Sequence, residues 1–221
     1  MIKFVTISDK DSTKINNYRN SLKRDFVCLK YDKSLKNVSK VFNFYEYLVT
    51  SDFNAKDIIV YSDAYDIICI NANNIEYYFE DSKKDIIYSS EPFCAHYNLN
   101  VKRWFKSHYN NCFLNAGFAI GYYKSFLEMY AYIMKNYCAD DFGKDCSEQR
   151  VISDFFMKNK ESLKLAKIDL DINSSFCKVI SINTKFNPAF IRSNFIHVPW
   201  LDNPIQKEKY NEVVSFYLKG K

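Results

Sequence analysis

The run Asp57-Ile-Ile-Val-Tyr-Ser-Asp-Ala-Tyr-Asp66 constrains the fold of this chain most strongly, because an apolar stretch ends there in two carboxylates. Residues 58–61 are almost continuously apolar, as is typical of a strand covered on both faces of a parallel sheet. Ligand crevices form at the carboxyl ends of such strands. The pattern therefore predicts a buried strand that delivers Asp63 and Asp66 to a site.

Two neighbouring carboxylates at the end of a buried strand repel each other and lose hydration. A divalent cation bound between them offsets both costs, so a metal is the default ligand of such a pair. A purely structural interpretation is also available, in which Asp63 opens a turn and Asp66 caps the next element. The spacing alone leaves both interpretations open.

The size and composition of the chain indicate one domain. Its 221 residues, 48% of them hydrophobic and 18% aromatic, are enough for one sizeable core, and no Pro-, Gly- or Ser-rich linker divides residues 1–221. No apolar run approaches the roughly 20 residues that span a bilayer, and the first residues read as a strand, not a signal peptide. Seven cysteines without a Cys-x-x-Cys pair favour a reducing compartment, although one or two disulfides stay open.

Charge and glycine content exclude several classes of nucleotide-binding protein. The net charge of +5 comes from dispersed lysines, so the sequence carries no basic tail for nucleic acid. The four glycines, at positions 117, 121, 143 and 220, form neither a P-loop nor a Gly-x-Gly-x-x-Gly motif. A bound nucleotide would therefore need a metal and side chains to neutralise its phosphates, which fits the carboxylate pair.

Strands alternate with amphipathic helices from the start of the chain. Residues 2–7, 25–29 and 57–62 are predicted strands, and residues 12–23 and 34–50 are predicted helices. This βαβαβ order implies a parallel sheet. In the second helix the predicted buried face consists of Leu35, Val38, Phe42, Tyr45 and Val49.

The later part of the chain is also predicted to consist of strands and helices. Residues 90–112, which are rich in aromatic side chains, are predicted to form a long irregular stretch of the kind that usually carries function. The other predicted elements are helices at 73–81, 125–136, 147–158 and 204–218 and strands at 85–89, 113–122, 165–172, 176–182 and 195–198.

Four motifs then occur in one order along the chain. They are Tyr-Ser-Asp-Ala-Tyr-Asp from Tyr61, Tyr-Ser-Ser-Glu-Pro-Phe-Cys from Tyr88, Phe-Leu-Asn-Ala-Gly-Phe-Ala-Ile-Gly-Tyr from Phe113 and Ile-Asp-Leu-Asp from Ile168. With them the chain resembles the glycosyltransferase domain of procollagen lysyl hydroxylases, from the first strand to about Trp200. The resemblance implies a GT-A (Rossmann-like) α/β fold with a mixed, mostly parallel sheet flanked by helices.

The resemblance also implies an activity. It is Mn²⁺-dependent, retaining transfer of glucose from UDP-glucose to galactosylhydroxylysine of collagen or a collagen-like protein. Giant viruses encode homologues of this sort, so a viral member would be expected in the host cytoplasm, the viral factory or the virion. A UDP-galactose-dependent hydroxylysine galactosyltransferase, another UDP-sugar transferase and a non-enzymatic binding module stay open as alternatives.

A three-residue metal site follows from the resemblance. Asp63 and Asp66 match the family's Asp-x-x-Asp motif, and Tyr65 matches the aromatic residue that stacks on uracil. His197 stands where the family has a His-Gly-Asn-Gly segment, and an imidazole ligand suits Mn²⁺ better than Mg²⁺. The glycine and asparagine of that family segment, which contact the diphosphate in the family, are missing from this chain. We expect Trp200, in the same segment of this chain, to bind the nucleotide.

Lys40 and the strand that begins at Phe113 supply further matches. Lys40 lies 23 residues before Asp63, as does the family lysine that reaches the nucleotide. Asn115 and Gly117 match a Leu-Asn-Ser-Gly-Gly strand, in which the amide binds sugar hydroxyls and the glycine leaves room for the sugar ring. On its own, Lys40 would read as a solvated helix lysine.

The remaining matches are acidic residues near the sugar. Asp145, Glu148 and Gln149 align with the end of an aspartate run before a Gln, and Glu91 matches a carboxylate on the acceptor side. We expect catalytic roles for Glu148, Asp145 and Glu91 and a donor-binding role for Gln149. Acidic residues at a helix N-terminus are also ordinary dipole partners, which is the structural alternative for Glu148.

Overall fold

The structure, a computed structural model, describes residues 1–8, 13–92, 98–143 and 147–219. Its strands are β1 (Ile2–Ser8), β2 (Phe26–Lys30), β3 (Ile58–Asp63), β4 (Ile67–Cys69), β5 (Ile86–Glu91), β6 (Phe113–Tyr122), β7 (Ile168–Asp171), β8 (Cys177–Val179) and β9 (Phe195–His197). Its α-helices are α1 (Thr13–Leu22), α2 (Val38–Thr50), α3 (Ile75–Asp81), α4 (Leu99–Tyr109), α5 (Tyr123–Asn136), α6 (Glu148–Lys158) and α7 (Pro204–Val214).

A six-stranded sheet with the order β2-β1-β3-β6-β5-β7 forms the centre of the fold. Strands β1, β2 and β3 are parallel to one another, β5 is parallel to β7, and among these described strands only β6 runs against its neighbours. The predicted βαβαβ unit and the mixed, mostly parallel sheet are confirmed.

Helices cover both faces of this sheet because successive strand residues point in opposite directions. In β3, Ile59 and Tyr61 belong to a core that also contains residues of α2, α4, α5 and α6. Ile58 and Val60 belong to a second core, which contains residues of α1 and α3. The central strand is thus buried on both sides, as its continuous apolar run predicts.

A second sheet, with the order β4-β9-β8, was not predicted. Strand β4 has only three residues and pairs antiparallel with β9, so that Ile67 lies opposite His197. The backbone N–H of Val198 also donates a hydrogen bond to the carbonyl oxygen of Asp66 at 2.8 Å. This pairing brings the last strand of the chain to the loop that follows β3.

The prediction of an irregular stretch over residues 90–112 is wrong for its second half, which forms α4; residues 93–97 lie outside the described residues. The side-chain oxygen of Asn98 caps this helix by accepting a hydrogen bond from a backbone N–H at 2.9 Å. Trp104 and Phe105, two aromatic residues of the stretch predicted to be irregular, instead form the buried face of this helix together with Val101.

The other elements mostly follow the sequence, with ends that differ by a few residues. The three late strands β7, β8 and β9 are each shorter than their predicted range, and β9 begins at its predicted first residue. Helix α7 stops at Val214, and Ser215–Lys219 continue as a π-helical turn. None of the helices that the structure describes combines the length and apolarity that crossing a bilayer requires.

Helix α2 begins at Val38, and the face predicted to be buried is wrong at three of its five positions, since Val38 is buried and Tyr45 is half-buried. Leu35, Phe42 and Val49 are 45%, 40% and 54% exposed. Two apolar stripes compete on this helix, and the one that faces the sheet contains Val41, Phe44 and Leu48.

We expect Phe44→Ala to lower the free energy of unfolding by about 3–5 kcal/mol, because it leaves a cavity in the core. The Phe44 ring is fully buried and packs on Tyr61, with 4.7 Å between ring centroids. Phe42→Ala, on the exposed side of the same helix, should change this free energy by less than about 1 kcal/mol. Urea denaturation followed by circular dichroism measures both, and equal losses would contradict the burial described above.

Candidate active site

Asp63, Asp66 and His197 meet where the two sheets adjoin. Asp63 ends β3, Asp66 directly precedes β4, and His197 ends β9. One ligand atom from each lies within 4.8 Å of the other two. The three residues named from the sequence as metal ligands are therefore brought together by the pairing of β4 with β9.

This donor set fits a divalent metal ion. Asp66 Oδ1 is buried and has no hydrogen-bond partner in the part of the chain that the structure describes. There, His197 Nε2 makes no hydrogen bond beyond its 3.3 Å ionic contact with Asp66 Oδ2. Buried polar atoms without partners are costly, and a metal bound by two carboxylates and an imidazole would satisfy both atoms.

Asn115 fixes the orientation of the His197 ring. Its Oδ1 accepts a hydrogen bond from the backbone N–H of Gly117 at 3.0 Å, which identifies that atom as the oxygen. His197 Nδ1 lies 3.0 Å from the same oxygen and must therefore donate its proton to it. The Nε2 atom is then the one that faces the carboxylates, which is the usual arrangement behind a metal-binding histidine.

Gly117 makes room for this imidazole. A Cβ atom at position 117 would lie 2.2 Å from His197 Cε1, well inside van der Waals contact. The ring that approaches the backbone of Gly117 is that of His197, and Gly117 also borders a cavity. The backbone of β6 and the side chain of β9 are thus packed directly against each other.

Lys40 supplies a buried positive charge beside the two aspartates. Its Nζ atom lies 2.7 Å from Asp63 Oδ1 and 3.0 Å from Glu148 Oε1. Burial opposes the charge, but the two carboxylates outweigh it and raise the pKa of Lys40 well above its usual range. The side chain therefore remains an ammonium group at the edge of the site.

The three candidate ligands titrate as a group. Burial raises the pKa of Asp63 to about 6, against the opposing influence of Lys40. Burial acts in the same direction on Asp66, but the facing His197 lowers the pKa of this carboxyl below its usual value. Burial lowers the pKa of His197, and Asp66 reverses this and raises it. Because a metal requires a neutral imidazole and ionised carboxylates, its binding releases protons.

Two cavities, of about 360 and 300 Å³, adjoin Asp63 and Asp66, and the second also adjoins His197. Tyr65 borders the first cavity only. The residues expected at the sugar border the second only, namely Glu91, Asn115, Gly117, Glu148 and Gln149. The residues that border both cavities are Asn37, Lys40, Asp63, Asp66 and Trp200. Sequence reasoning missed Asn37, which precedes α2 and belongs to no motif.

The Gln149 side chain links β6 to Glu91. Its Oε1 accepts a hydrogen bond from the backbone N–H of Ala116 at 3.1 Å, and its Nε2 donates one to Glu91 Oε1 at 2.9 Å. Glu91 is only 2% exposed, and burial raises the pKa of its carboxyl. Asp145, the other acidic residue expected here, lies outside the described residues.

Residues 32–191 match the protein family described as PLOD GT domain. The match covers more than half of the chain, so the chain belongs to the PLOD GT domain family, a family of glycosyltransferases. The α/β fold with a mixed, mostly parallel sheet that is expected from the sequence is confirmed.

Two solved structures resemble the fold at low identity. One is the galactosyltransferase LgtC in complex with donor and acceptor sugar analogues, with 11% identity, 99% of this chain and 96% of that chain covered, and a TM-score of 0.48. The other is A197 from STIV, with 10% identity, 76% and 80% covered, and a TM-score of 0.41. No curated protein matches the sequence.

We expect Gly117→Ala to weaken Mn²⁺ binding by about 10- to 100-fold, the usual range when a group that orients a metal ligand is disturbed. The added methyl group must displace the His197 imidazole, because the two would lie 2.2 Å apart. Titration of free Mn²⁺ by electron paramagnetic resonance measures the affinity, and thermal unfolding verifies that the variant is folded. A folded variant with wild-type affinity would contradict the assignment of His197 as a ligand.

Proposed function

We propose that this glycosyltransferase moves glucose from UDP-glucose to galactosylhydroxylysine in a collagen-like protein, that it requires Mn²⁺, and that residues 1–221 form one catalytic domain. The observation that carries the proposal is the meeting of Asp63, Asp66 and His197 beside Lys40, between two cavities. One cavity would take the nucleotide and the other the sugars. Membership of the PLOD GT domain family supports the choice of donor and acceptor.

Asp63, Asp66 and His197 would hold the metal. When bound, a Mn²⁺ ion supplies Lewis-acid stabilisation of the negative charge on the leaving diphosphate, an effect worth several kcal/mol. Lys40 adds a second positive charge on the same side, which compensates for the absence of a glycine-rich phosphate loop. Asn115 keeps the lone pair of His197 Nε2 directed at the metal position.

The cavity beside Tyr65 would bind the uridine. The Tyr65 hydroxyl lies 2.7 Å from Ser8 Oγ, so the end of β1 fixes the position of the ring. A fixed aromatic ring presents a flat apolar face on which a pyrimidine base can stack. Lys40 and the aspartates border this cavity on the side where the diphosphate would lie.

The second cavity, which Glu148 and Glu91 line, would take the donor sugar. In the retaining reaction that we propose, the acceptor oxygen bonds to the anomeric carbon from the face that the diphosphate leaves. The carbon–oxygen bond to UDP breaks, and a phosphate oxygen of UDP takes the proton of the acceptor hydroxyl. Glu148 and Asp145 would stabilise the positive charge that develops on the sugar ring.

Release of free UDP tests the proposal. We expect turnover of UDP-glucose that requires Mn²⁺, stops with EDTA and rises when a galactosylhydroxylysine peptide is added. Asp63→Asn should reduce it at least about 100-fold, because the metal site loses a charged ligand. Turnover of UDP-galactose alone would assign the donor to the galactosyltransferase alternative, and turnover of neither donor would overturn the proposal.

We expect Glu148→Gln to lower kcat in the same assay by about 10²- to 10³-fold, the usual loss when one electrostatic group is removed from a transition state. The amide keeps the size of the side chain but not its charge. Glu128→Gln on α5 is the matched control, because Glu128 is an exposed glutamate that pairs with Lys124 on the same helix and borders neither cavity. A folded Glu148→Gln enzyme with full turnover would exclude this role for Glu148.

A further inference from the structure

Trp200 lies between β9, which ends at the candidate ligand His197, and α7, which begins at Pro204. Its side chain is 42% exposed and borders both cavities. Its backbone has a φ of 63°, in the left-handed region that bulky residues rarely adopt. Such strain persists where the surrounding structure enforces it, and it concentrates at ligand-binding segments.

Two hydrogen-bonded contacts enforce this conformation. The backbone N–H of Asn203 donates to the Trp200 carbonyl oxygen at 2.9 Å. Just before Trp200, the Gln206 side chain donates to the carbonyl oxygen of Pro199 at 2.9 Å and also to that of Ile180 at 2.9 Å. Because Gln206 is fully buried, the start of α7 acts as a rigid base for the Trp200 segment.

The side chains that line the second cavity differ in solvent exposure, and Trp200 lies at the exposed end of the cavity, its mouth. Glu91, Asn115 and His197 are 2%, 4% and 2% exposed and form its floor. A donor sugar is tethered to the diphosphate at the metal position and must occupy this floor. An acceptor that entered this cavity from the solvent side would meet Trp200, which is the most exposed of the lining residues named here.

We propose that Trp200 is the platform on which the sugar ring of a glycosylated acceptor stacks, so that the enzyme selects a galactoside over bare hydroxylysine. A pyranose ring has an apolar face of C–H groups, and an indole at the mouth of a cavity offers the matching flat surface. Bare hydroxylysine has no ring and gains nothing from this surface. The inference rests on the proposed function and adds the side chain that would recognise the acceptor sugar.

Kinetics of Trp200→Leu and Trp200→Phe test the platform. We expect Trp200→Leu to raise the KM for a galactosylhydroxylysine peptide by about tenfold, while the KM for UDP-glucose moves by less than about threefold. Trp200→Phe, which restores a flat ring, should recover most of this loss. Phe190→Ala is the control, since Phe190 is an aromatic residue 82% exposed that borders neither cavity.

Fluorescence gives a readout that does not depend on turnover. The chain has two tryptophans, and Trp104 is only 8% exposed, so acrylamide should quench mainly Trp200. With Mn²⁺ and UDP present, methyl β-galactoside should protect the wild type from quenching and leave the signal of Trp200→Phe unchanged. If the wild-type protein turned over neither donor, the proposed function would be wrong. The quenching measurement would still show whether Trp200 binds the galactoside.

Two results would overturn the inference. One is complete protection of Trp200 by UDP alone, together with a rise in the KM for UDP-glucose in Trp200→Leu, which would assign the side chain to the nucleotide. The other is an unchanged preference of Trp200→Leu for the galactosylated peptide over the hydroxylysine peptide.

Discussion

The pairing of β4 with β9 is the interaction on which the site depends. Three residue pairs and the hydrogen bond from Val198 to Asp66 join the loop after the central strand to the last strand of the chain. Without this pairing the two aspartates would face solvent at the edge of the sheet, and no imidazole would complete the set. A sheet of only three short strands thus determines whether the larger sheet can carry a metal.

Charge balance explains why the site can exist before a metal arrives. Asp63, Asp66 and Glu148 would be too costly to bury together, but Lys40 and His197 each face carboxylates within this group. Each charge has an opposite neighbour at 2.7 to 3.3 Å, which limits the cost of removing it from water. Lys40 and His197 thus offset the charge of the three carboxylates within the site itself.

Features encoded by neighbouring residues could be predicted from the sequence, and features set by distant ones could not. The strand that ends in Asp63 was clear because its apolar run is local. The sequence does not determine which face of α2 is buried, because Phe42 and Phe44 belong to two different apolar faces of the helix. Only the position of the sheet decides that the face with Phe44 is buried. Strand β4 is too short to show a period, and its partner lies at the other end of the chain. The contact between Asn115 and His197 leaves no local signal at all.

The close packing of Gly117 against His197 has a consequence for how this protein can change. A buried strand at the centre of a sheet is normally strengthened by β-branched residues, and glycine weakens it. At position 117 any larger side chain would occupy the volume of the imidazole. Replacing Gly117 by a β-branched residue, which would stabilise an ordinary strand, is therefore incompatible with the position of His197. Strand β6 keeps a destabilising glycine because the imidazole needs its space.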